Sequence, residues 1–248
     1  PLWISTIVGV ALLFCCIWIG LKAPLSFSPD PATNTKIWDI ILIVYIEVAS
    51  IVPVWILLQP RDYLNSYLLY SMLAGAAIGI LIMRPNLNLA PFTKFNTGGT
   101  NYLFPMLFVT VACGAISGFH SLVGSGTSSK QIDKETDSKL IGYGAMLIEG
   151  LLAIIALIAA GYFSTAEFAE ISKAGPSTVF AKGCAQFMAV IGVPVGVGET
   201  FVSLAVSAFA LTSLDTATRI GRFIFQEFFQ KEGEKQSVLT NKYVATII

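Results

Sequence analysis

Long runs of apolar residues, separated by short polar segments that often contain proline, make up most of the chain. Several of these runs approach the roughly 20 residues that an α-helix needs to cross a hydrocarbon core about 30 Å thick. The pattern therefore predicts an all-α, polytopic transmembrane helical bundle that forms a single domain over residues 1–248. The predicted spans are Leu2–Leu21, Trp38–Gln59, Tyr63–Met83, Tyr102–Phe119, Leu140–Gly161 and Thr200–Thr218, with a seventh that begins near Tyr243.

One further apolar segment, Gly175–Pro194, is predicted not to cross the membrane by itself. It is short, contains Lys182 and is interrupted by glycines and a proline, which favours an interfacial or half-membrane helix. With this assignment Arg61 and the basic segments 130–139 and 219–242 lie on one side, which the positive-inside rule makes cytoplasmic. If the segment does cross, the last third of this topology is inverted.

The composition supports a membrane protein and argues against two other classes. The chain is 55% hydrophobic and only 12% charged, whereas soluble domains carry roughly 25% charged residues. Its formal net charge of zero offers no basic surface for nucleic acid. The four cysteines lie in apolar segments without metal-type spacing, so neither a metal site nor a cofactor is predicted. A first residue other than methionine and an apolar last segment suggest that both ends continue into a longer protein.

Small residues recur at four-residue intervals on two of the predicted spans. They are Ser71, Gly75 and Gly79 on the third span, and Gly114 and Gly118 on the fourth. Such positions let helix backbones approach closely inside lipid, where the hydrophobic effect between helices is absent. The spacing predicts helix packing and no particular activity.

Glu149 lies near the centre of the fifth predicted span, on a face of small residues. That face comprises Gly142, Ala145, Glu149, Ala153, Ala156 and Ala160. The helical period predicts that this carboxyl group points into the bundle. Burial would favour its protonated form, as a proton-coupling site requires. The alternative is a neutral or hydrogen-bonded structural carboxyl group.

A polar stripe with helical spacing lies near the end of the sixth predicted span. It consists of Thr212, Asp215, Arg219 and Arg222. Asp215 and Arg219 form an i,i+4 pair with the acid on the N-terminal side, which is the favourable order. One interpretation is an ion pair at the cytoplasmic end of the helix. The other is a gate or ion site, lined by Thr212, Ser213, Asp215 and Thr216.

The stretch GAISGFHSLVGSGTSSKQ places glycines and hydroxyl groups directly after an apolar run. Glycines weaken a helix and hydroxyl groups compete for backbone hydrogen bonds, so the helix is predicted to unwind near residues 118–126. Broken helices supply substrate and ion sites in secondary transporters. His120 adds a group that titrates near neutrality. The predicted substrate contacts here are Ser117, Gly118, His120, Ser121, Gly124, Ser125, Gly126, Thr127 and Ser128. A glycine-rich cytoplasmic turn is the alternative.

Three blocks of the chain resemble the carbon starvation protein A family: FPMLFVTVACGAISGFHSLVGSGTSSKQI, KETDSKLIGYGAMLIEGLLAIIAL and FALTSLDTATRIGRF. The resemblance implies a multi-spanning transporter of the bacterial inner membrane, active in carbon starvation. It implies a broken-helix fold related to the amino acid–polyamine–organocation superfamily. It also implies uptake of peptides or of pyruvate, driven by a proton gradient, and no enzyme activity.

The combined hypothesis is a central cavity lined by residues 118–128 and 212–216. These segments would contact a carboxylate-bearing substrate, while Glu149, His120 and Asp215 are the candidates for exchange of the coupled proton. A channel or an accessory membrane subunit would use the same polar segments without coupled transport. An intramembrane hydrolase that pairs His120 with a serine lacks an evident third, orienting group.

Overall fold

The computed structural model describes residues 2–23, 25–90, 92, 95, 102–108, 118–230 and 240–247, and the side chains of residues 2, 5, 21, 118–120 and 247 are not described. Within this part of the chain the structure is helical and has no β-strand, which confirms the predicted all-α class. The α-helices are α1 (Leu2–Lys22), α2 (Pro31–Ile51), α3 (Val54–Met83), α4 (Gly118–Gly126), α5 (Glu135–Tyr162), α6 (Thr165–Ile171), α7 (Pro176–Ala189), α8 (Val195–Phe229) and α9 (Val244–Ile247). Short turns of other helical types lie at Leu103–Leu107, Ser128–Lys130 and Ser172–Ala174.

Three of the described helices are long and apolar enough to cross a membrane. They are α3, α5 and α8, with 30, 28 and 35 residues. The predicted spans Tyr63–Met83, Leu140–Gly161 and Thr200–Thr218 lie inside them. In α1 the apolar stretch of described side chains, Thr6–Gly20, is shorter. The chain divides into two compact units: Pro1–Ser71 with Leu204–Ile248, and Met72–Ser203.

The break between the second and third helices does not lie where the sequence predicted it. The prediction ended a span at Gln59, but α2 ends at Ile51 and α3 continues through Pro60. Val52 is extended, with φ −66° and ψ 139°, as expected for a residue that precedes a proline. Pro53 therefore separates the two helices, whereas Pro60 removes one internal hydrogen bond without ending α3.

The start of α2 also lies earlier than predicted, at Pro31 instead of Trp38. Asp30 is its N-cap, and the carboxylate accepts hydrogen bonds from the Thr33 backbone N–H at 3.1 Å and the Thr33 hydroxyl at 2.6 Å. Proline is favoured in the first helical turn because its missing N–H has no intrahelical partner there. The segment SPDPAT is thus a helix start, where the prediction had placed a joint.

In the second unit, α7 is a buried helix. Its 14 residues span about 21 Å, less than the hydrocarbon core. A methyl group added at Gly183 would lie 2.6 Å from the Ala159 Cβ of α5, and one added at Gly79 would lie 2.1 Å from the Phe187 carbonyl oxygen. The packing role of the glycines on α3 is therefore confirmed. The helix α7 is buried against α3 and α5, and its predicted position as an interfacial or half-membrane helix stays a prediction.

The glycine-rich stretch is helical where unwinding was predicted. Residues 118–126 form α4, and the helix ends only at Gly126. The serine hydroxyls donate back to carbonyls one turn earlier, as in Ser125 to Ser121 at 3.0 Å. Such bonds are compatible with a helix and remove the predicted competition. The fourth predicted span cannot be followed as one helix, because residues 109–117 lie outside the described part.

Candidate functional site

Asp215 is the centre of a polar cluster inside the first unit. It lies on α8, and only 1% of its surface is exposed. Its Oδ2 accepts hydrogen bonds from Arg61 Nη1 on α3 and from the Tyr45 hydroxyl on α2, the latter at 3.2 Å. Arg61 Nη1 also donates to the Tyr45 hydroxyl at 2.7 Å. A buried carboxylate is therefore held by one cation and one phenol that come from two other helices.

A second group of polar contacts surrounds Thr212, one helical turn before Asp215. The Thr212 hydroxyl donates to Asp62 Oδ1 at 3.3 Å and accepts from Asn65 Nδ2 at 3.2 Å. Arg61 Nη2 lies 3.3 Å from the same Asp62 oxygen. Arg61 thus joins the two carboxylates, and α3 and α8 meet through side chains that are polar on both helices.

Arg219 and Arg222 extend the cluster to the end of α2. Arg219 Nη2 donates to the carbonyl oxygens of Ala49 at 2.5 Å and Val52 at 2.7 Å. Arg222 Nη1 donates to the Ser50 carbonyl oxygen at 2.6 Å. The last carbonyls of a helix lack intrahelical partners, and cations are favoured beside its C-terminus. Both arginines are buried, with 5% and 8% of their surfaces exposed.

The predicted ion pair between Asp215 and Arg219 is therefore wrong. The guanidinium that binds Asp215 belongs to Arg61, while Arg219 reaches carbonyl oxygens at the α2 break. The physical reason is Pro53, which has no N–H to offer the Ala49 carbonyl oxygen. A buried carbonyl without a donor costs about 1–3 kcal/mol, so the arginine is drawn to it.

The predicted substrate-contact residues of α8 do not all share one environment. Thr212 and Thr216 lie on the side of Asp215, and the Thr216 hydroxyl donates to the Thr212 carbonyl oxygen at 3.0 Å. Ser213 is exposed and lies on another side of the helix. Among the contacts predicted on this helix, the structure therefore brings two of the three to the cluster.

The other predicted residues belong to the second unit or lie outside the description. Ser117 is outside the described residues, and of Gly118 and His120 only the helical backbone is described. Ser121, Gly124 and Ser125 are exposed, whereas Gly126, Thr127 and Ser128 are half-buried. Their role in substrate binding stays a prediction.

Glu149 is exposed, so its predicted burial is wrong. The buried face of α5 is marked by Ile155 and Ala159, not by the small-residue face that carries the glutamate. Small residues on a helix permit close packing without requiring it, and α7 takes the face with Ala159. Proton exchange at Glu149 stays a prediction.

Four members of the cluster were missed from the sequence: Tyr45, Arg61, Asp62 and Asn65. The last three lie in LQPRDYLN, which the proline made look like a joint between spans. Their spacing could have identified two of them. Arg61 and Asn65 are four residues apart, so they lie on one face if the helix continues through Pro60. Among the described residues, no three His, Cys, Asp or Glu side chains are grouped to hold a metal ion.

The first unit also has an open cavity of about 460 Å³, lined by Trp3, Thr6, Ile7, Tyr63 and Tyr67. Its polar groups are a chain of hydroxyls: Thr6 to Tyr63 at 3.0 Å and Tyr63 to Tyr67 at 2.9 Å. Its lining carries no charged side chain. The lining of this cavity therefore offers no counter-charge to an ionised ligand.

Comparison with known proteins gives matches over the whole chain. The model of the family described as "Carbon starvation protein CstA" matches residues 1–174 and 164–248. The pyruvate/proton symporter BtsT of Escherichia coli (strain K12) is 42% identical over 163 residues, which cover 62% of this chain and 22% of that protein. The peptide transporter CstA of Bacillus subtilis (strain 168) is 33% identical over 264 aligned residues. The alignment covers 91% of this chain and 44% of that protein.

A third relative, the peptide transporter CstA of Escherichia coli (strain K12), is 50% identical over 123 residues, covering 48% of this chain and 18% of that protein. The chain thus spans less than half the length of each of these three relatives. No solved structure gives a significant match to the chain.

Proposed function

Since the chain belongs to the carbon starvation protein CstA family, we propose that it acts in proton-coupled secondary transport of peptides or pyruvate across a bacterial inner membrane. The names of the relatives support both substrates, because one is a pyruvate/proton symporter and two are peptide transporters. The long apolar helices α3, α5 and α8 support a multi-pass position in the bilayer.

The observation that carries the proposal is the buried contact between Asp215 and Arg61. Ionisable residues inside membrane helices are costly and usually mark ion or substrate pathways. Here the carboxylate is buried and its cation comes from another candidate spanning helix. A proton that binds Asp215 removes the negative charge and with it most of the attraction to Arg61. The α3 and α8 segments that carry these two residues are then freer to separate.

Protonation can in this way bias two conformations of the transporter. A ligand shifts a conformational equilibrium only if it binds one state better than the other. A proton at Asp215 meets that condition if the contact with Arg61 is made in one conformation and broken in the other. Thr212 and Thr216 would contact substrate beside this switch. Ser213 and the hydroxyl-rich residues 117–128 are separate candidates for substrate contacts. Glu149 and His120 are further candidates for the proton route.

We also propose the broken-helix architecture of the amino acid–polyamine–organocation superfamily. The support is the α2–α3 break at Val52–Pro53, where the carbonyls of Ala49, Ser50 and Val52 accept hydrogen bonds from arginine side chains instead of backbone N–H groups. Irregular backbone at membrane depth is tolerated where it is buried in protein.

The test is uptake of labelled pyruvate and of labelled dialanine by the full-length protein in proteoliposomes, with and without an imposed pH gradient. We expect saturable accumulation that depends on the gradient. In Asp215→Asn we expect accumulation to be lost while exchange of internal for external substrate continues, because the amide cannot ionise. Asp133→Asn, at an exposed position, is the matched control and should behave as wild type.

Two results would contradict the proposal. Flux that neither saturates nor depends on the gradient would indicate a channel. Full gradient-driven accumulation in Asp215→Asn would remove this carboxylate from the coupling mechanism, and Glu149→Gln, measured in parallel, would show whether the other carboxyl group takes that role.

A further inference from the structure

We infer that Arg219 and Arg222, together with the Ser50 hydroxyl, bind the carboxylate group of the transported substrate at the break between α2 and α3. The inference rests on the proposed function and adds a site to it. In the sequence the two arginines belong only to an ion pair and a polar stripe, and nothing there singles out Ser50.

The first argument is the set of donors at the break. Arg219 and Arg222 use Nη atoms for the carbonyls of Ala49, Ser50 and Val52. Their Nε atoms and the Ser50 hydroxyl are buried and have no hydrogen-bond partner among the described residues. Buried donors of this kind are rare in folded proteins and call for a partner. A carboxylate, which only accepts hydrogen bonds and has two oxygens, can take bonds from all three groups.

The second argument is charge. The cluster contains three guanidinium groups, at Arg61, Arg219 and Arg222, and two carboxylates, at Asp62 and Asp215. Both carboxylates contact Arg61, whereas neither Arg219 nor Arg222 forms an ion pair within the described part of the chain. These two cations contact carbonyl oxygens at the C-terminus of α2, and the Arg222 guanidinium also lies 4.8 Å from the centre of the Phe223 ring. A buried cation without a full counter-charge is strongly unfavourable. The described cluster therefore has an excess of one positive charge, which matches a single carboxylate group.

The third argument is the chemistry that the two substrate classes share. Pyruvate and a peptide have one group in common at neutral pH, which is a carboxylate at one end. Arginine is favoured for such groups because its planar guanidinium stays charged and presents several donors. Ser50 lies at the turn where α2 stops, so the same break that exposes carbonyls to the arginines also brings a hydroxyl to the anion.

The inference can be tested by binding, without transport. Equilibrium binding of pyruvate and of dialanine to the purified full-length protein would be compared with that of pyruvamide and dialanine amide, which lack the carboxylate. We expect wild type to bind the two acids. We expect its affinity for the two amides to be lower by a factor of about ten or more. In Arg222→Gln, which keeps a donor but loses the charge, we expect affinity for the acids to fall about tenfold or more.

Two variants separate anion binding from support of the break. Arg222→Lys keeps a charge and a donor, so it should retain most of the affinity for the acids. Arg222→Gln and Arg222→Lys should unfold at similar temperatures if both still bond to the Ser50 carbonyl. Arg84→Gln, at an exposed arginine, is the charge-matched control and should bind as wild type.

Three outcomes would overturn the inference. They are equal affinity for acids and amides, an unchanged affinity in Arg222→Gln, and displacement of neither acid by the other. Saturable proton-driven uptake with unchanged binding in Arg222→Gln would reject this site while the proposed function stands. Absence of uptake with carboxylate binding that needs Arg222 would keep the site and reject the proposed function.

Discussion

At the scale of single residues, Pro53 sets the positions of two side chains far away in sequence. Its ring nitrogen carries no hydrogen, so the Ala49 carbonyl oxygen loses the donor that a continuous helix would supply. Arg219 fills that place and also bonds to the Val52 carbonyl. The absence of an N–H group at Pro53 thus explains why Arg219, much later in the chain, is buried in a candidate membrane helix.

This account predicts the effect of removing the Arg219 side chain. We expect Arg219→Met to lower the free energy of unfolding by about 1–3 kcal/mol, because the buried Ala49 carbonyl and the half-buried Val52 carbonyl lose a charged donor. Pro53→Ala should recover part of that loss in the double variant, because an alanine at this position supplies an N–H for the Ala49 carbonyl. The measurement is denaturant unfolding of the purified protein, with Arg84→Met as control. Strictly additive effects of the two substitutions would contradict the explanation.

At the scale of helices, small residues decide how closely α3, α5 and α7 pack within the second unit. Gly79 on α3 lies against the backbone of α7 at Phe187, and Gly183 on α7 lies against Ala159 on α5. Glycine has no special conformation at either position, and its value is the missing Cβ. The same residue type serves no packing purpose at Gly142 or Gly124, where an added methyl group meets nothing within 4 Å.

Two alanine substitutions should therefore change stability in opposite directions. Gly79→Ala places a methyl group 2.1 Å from a backbone oxygen, so we expect a loss of about 1–3 kcal/mol in the free energy of unfolding. Gly142→Ala adds the same methyl group where no atom lies within 4 Å. We therefore expect the free energy of unfolding to rise by up to about 1 kcal/mol, because alanine has the higher helix propensity. Thermal or denaturant unfolding of both variants checks the pair. Equal effects would mean that the α3–α7 contact does not exist in the protein.

The short helix α6, which lies outside the candidate spans, begins with a capping box whose stability depends on pH. The Ser164 hydroxyl and the Ser164 backbone N–H both hydrogen-bond to the Glu167 carboxylate, at 2.7 and 3.0 Å. These bonds lower the pKa of Glu167 below its ordinary value, the hydroxyl bond being the larger cause. Because the folded-state pKa is the lower one, the stabilisation is complete above the ordinary glutamate pKa and is lost as pH falls through the lowered value.

We therefore expect the backbone amides of α6 to exchange hydrogen faster at acidic pH, beyond the general change in exchange chemistry. Ser164→Ala should raise the pKa of Glu167 toward its ordinary value and should remove most of this pH dependence. Hydrogen–deuterium exchange read by mass spectrometry on the segment 163–175 checks both points. An α6 profile that is the same in wild type and Ser164→Ala would contradict the capping box.

At the scale of the whole molecule, the exposed surface is unusually apolar. On α5 alone, Leu140 is 75% exposed and Leu157 is 70% exposed. Exposed apolar surface of this extent indicates contact with lipid or with other protein. The predicted orientation loses three of its markers, because Arg61, Arg219 and Arg222 lie in helices and make buried contacts instead of marking a loop. The segment 130–139 and the lysines that follow α8 still predict the cytoplasmic side.

That orientation is testable by cysteine labelling in whole cells. In a background in which every native cysteine is replaced by alanine, Ser129→Cys should react with a membrane-impermeant maleimide only after permeabilisation. Ser172→Cys, between α6 and α7, should react in intact cells, because the prediction puts it on the opposite side. Both positions are exposed, so a difference in labelling reports the side of the membrane and not the burial of the residue. Labelling of both positions in intact cells would contradict the prediction that α5, which lies between them, crosses the membrane once.

Reading the sequence alone was enough to predict that the chain is helical and apolar, and to locate α3, α5 and α8 in outline. These properties follow from local pattern, because every residue in a long apolar run contributes to the same helix. The resemblance to the carbon starvation proteins was also readable from three blocks of sequence, and the family match confirms it. Local pattern also identified Asp215 and Thr212 as members of a polar site, because helical spacing places them on one face of the helix.

The tertiary structure alone decided which partners these residues have and where α2 ends. Pro53 and Pro60 give similar local signals, yet only Pro53 lies where Arg219 and Arg222 can reach the released carbonyls. Asp215 had a suitable cation four residues away, but it binds Arg61, which is 154 residues earlier in the chain. Hydrogen bonds and ion pairs act over a few ångströms in space, so the packing of helices sets them, and spacing along one helix does not.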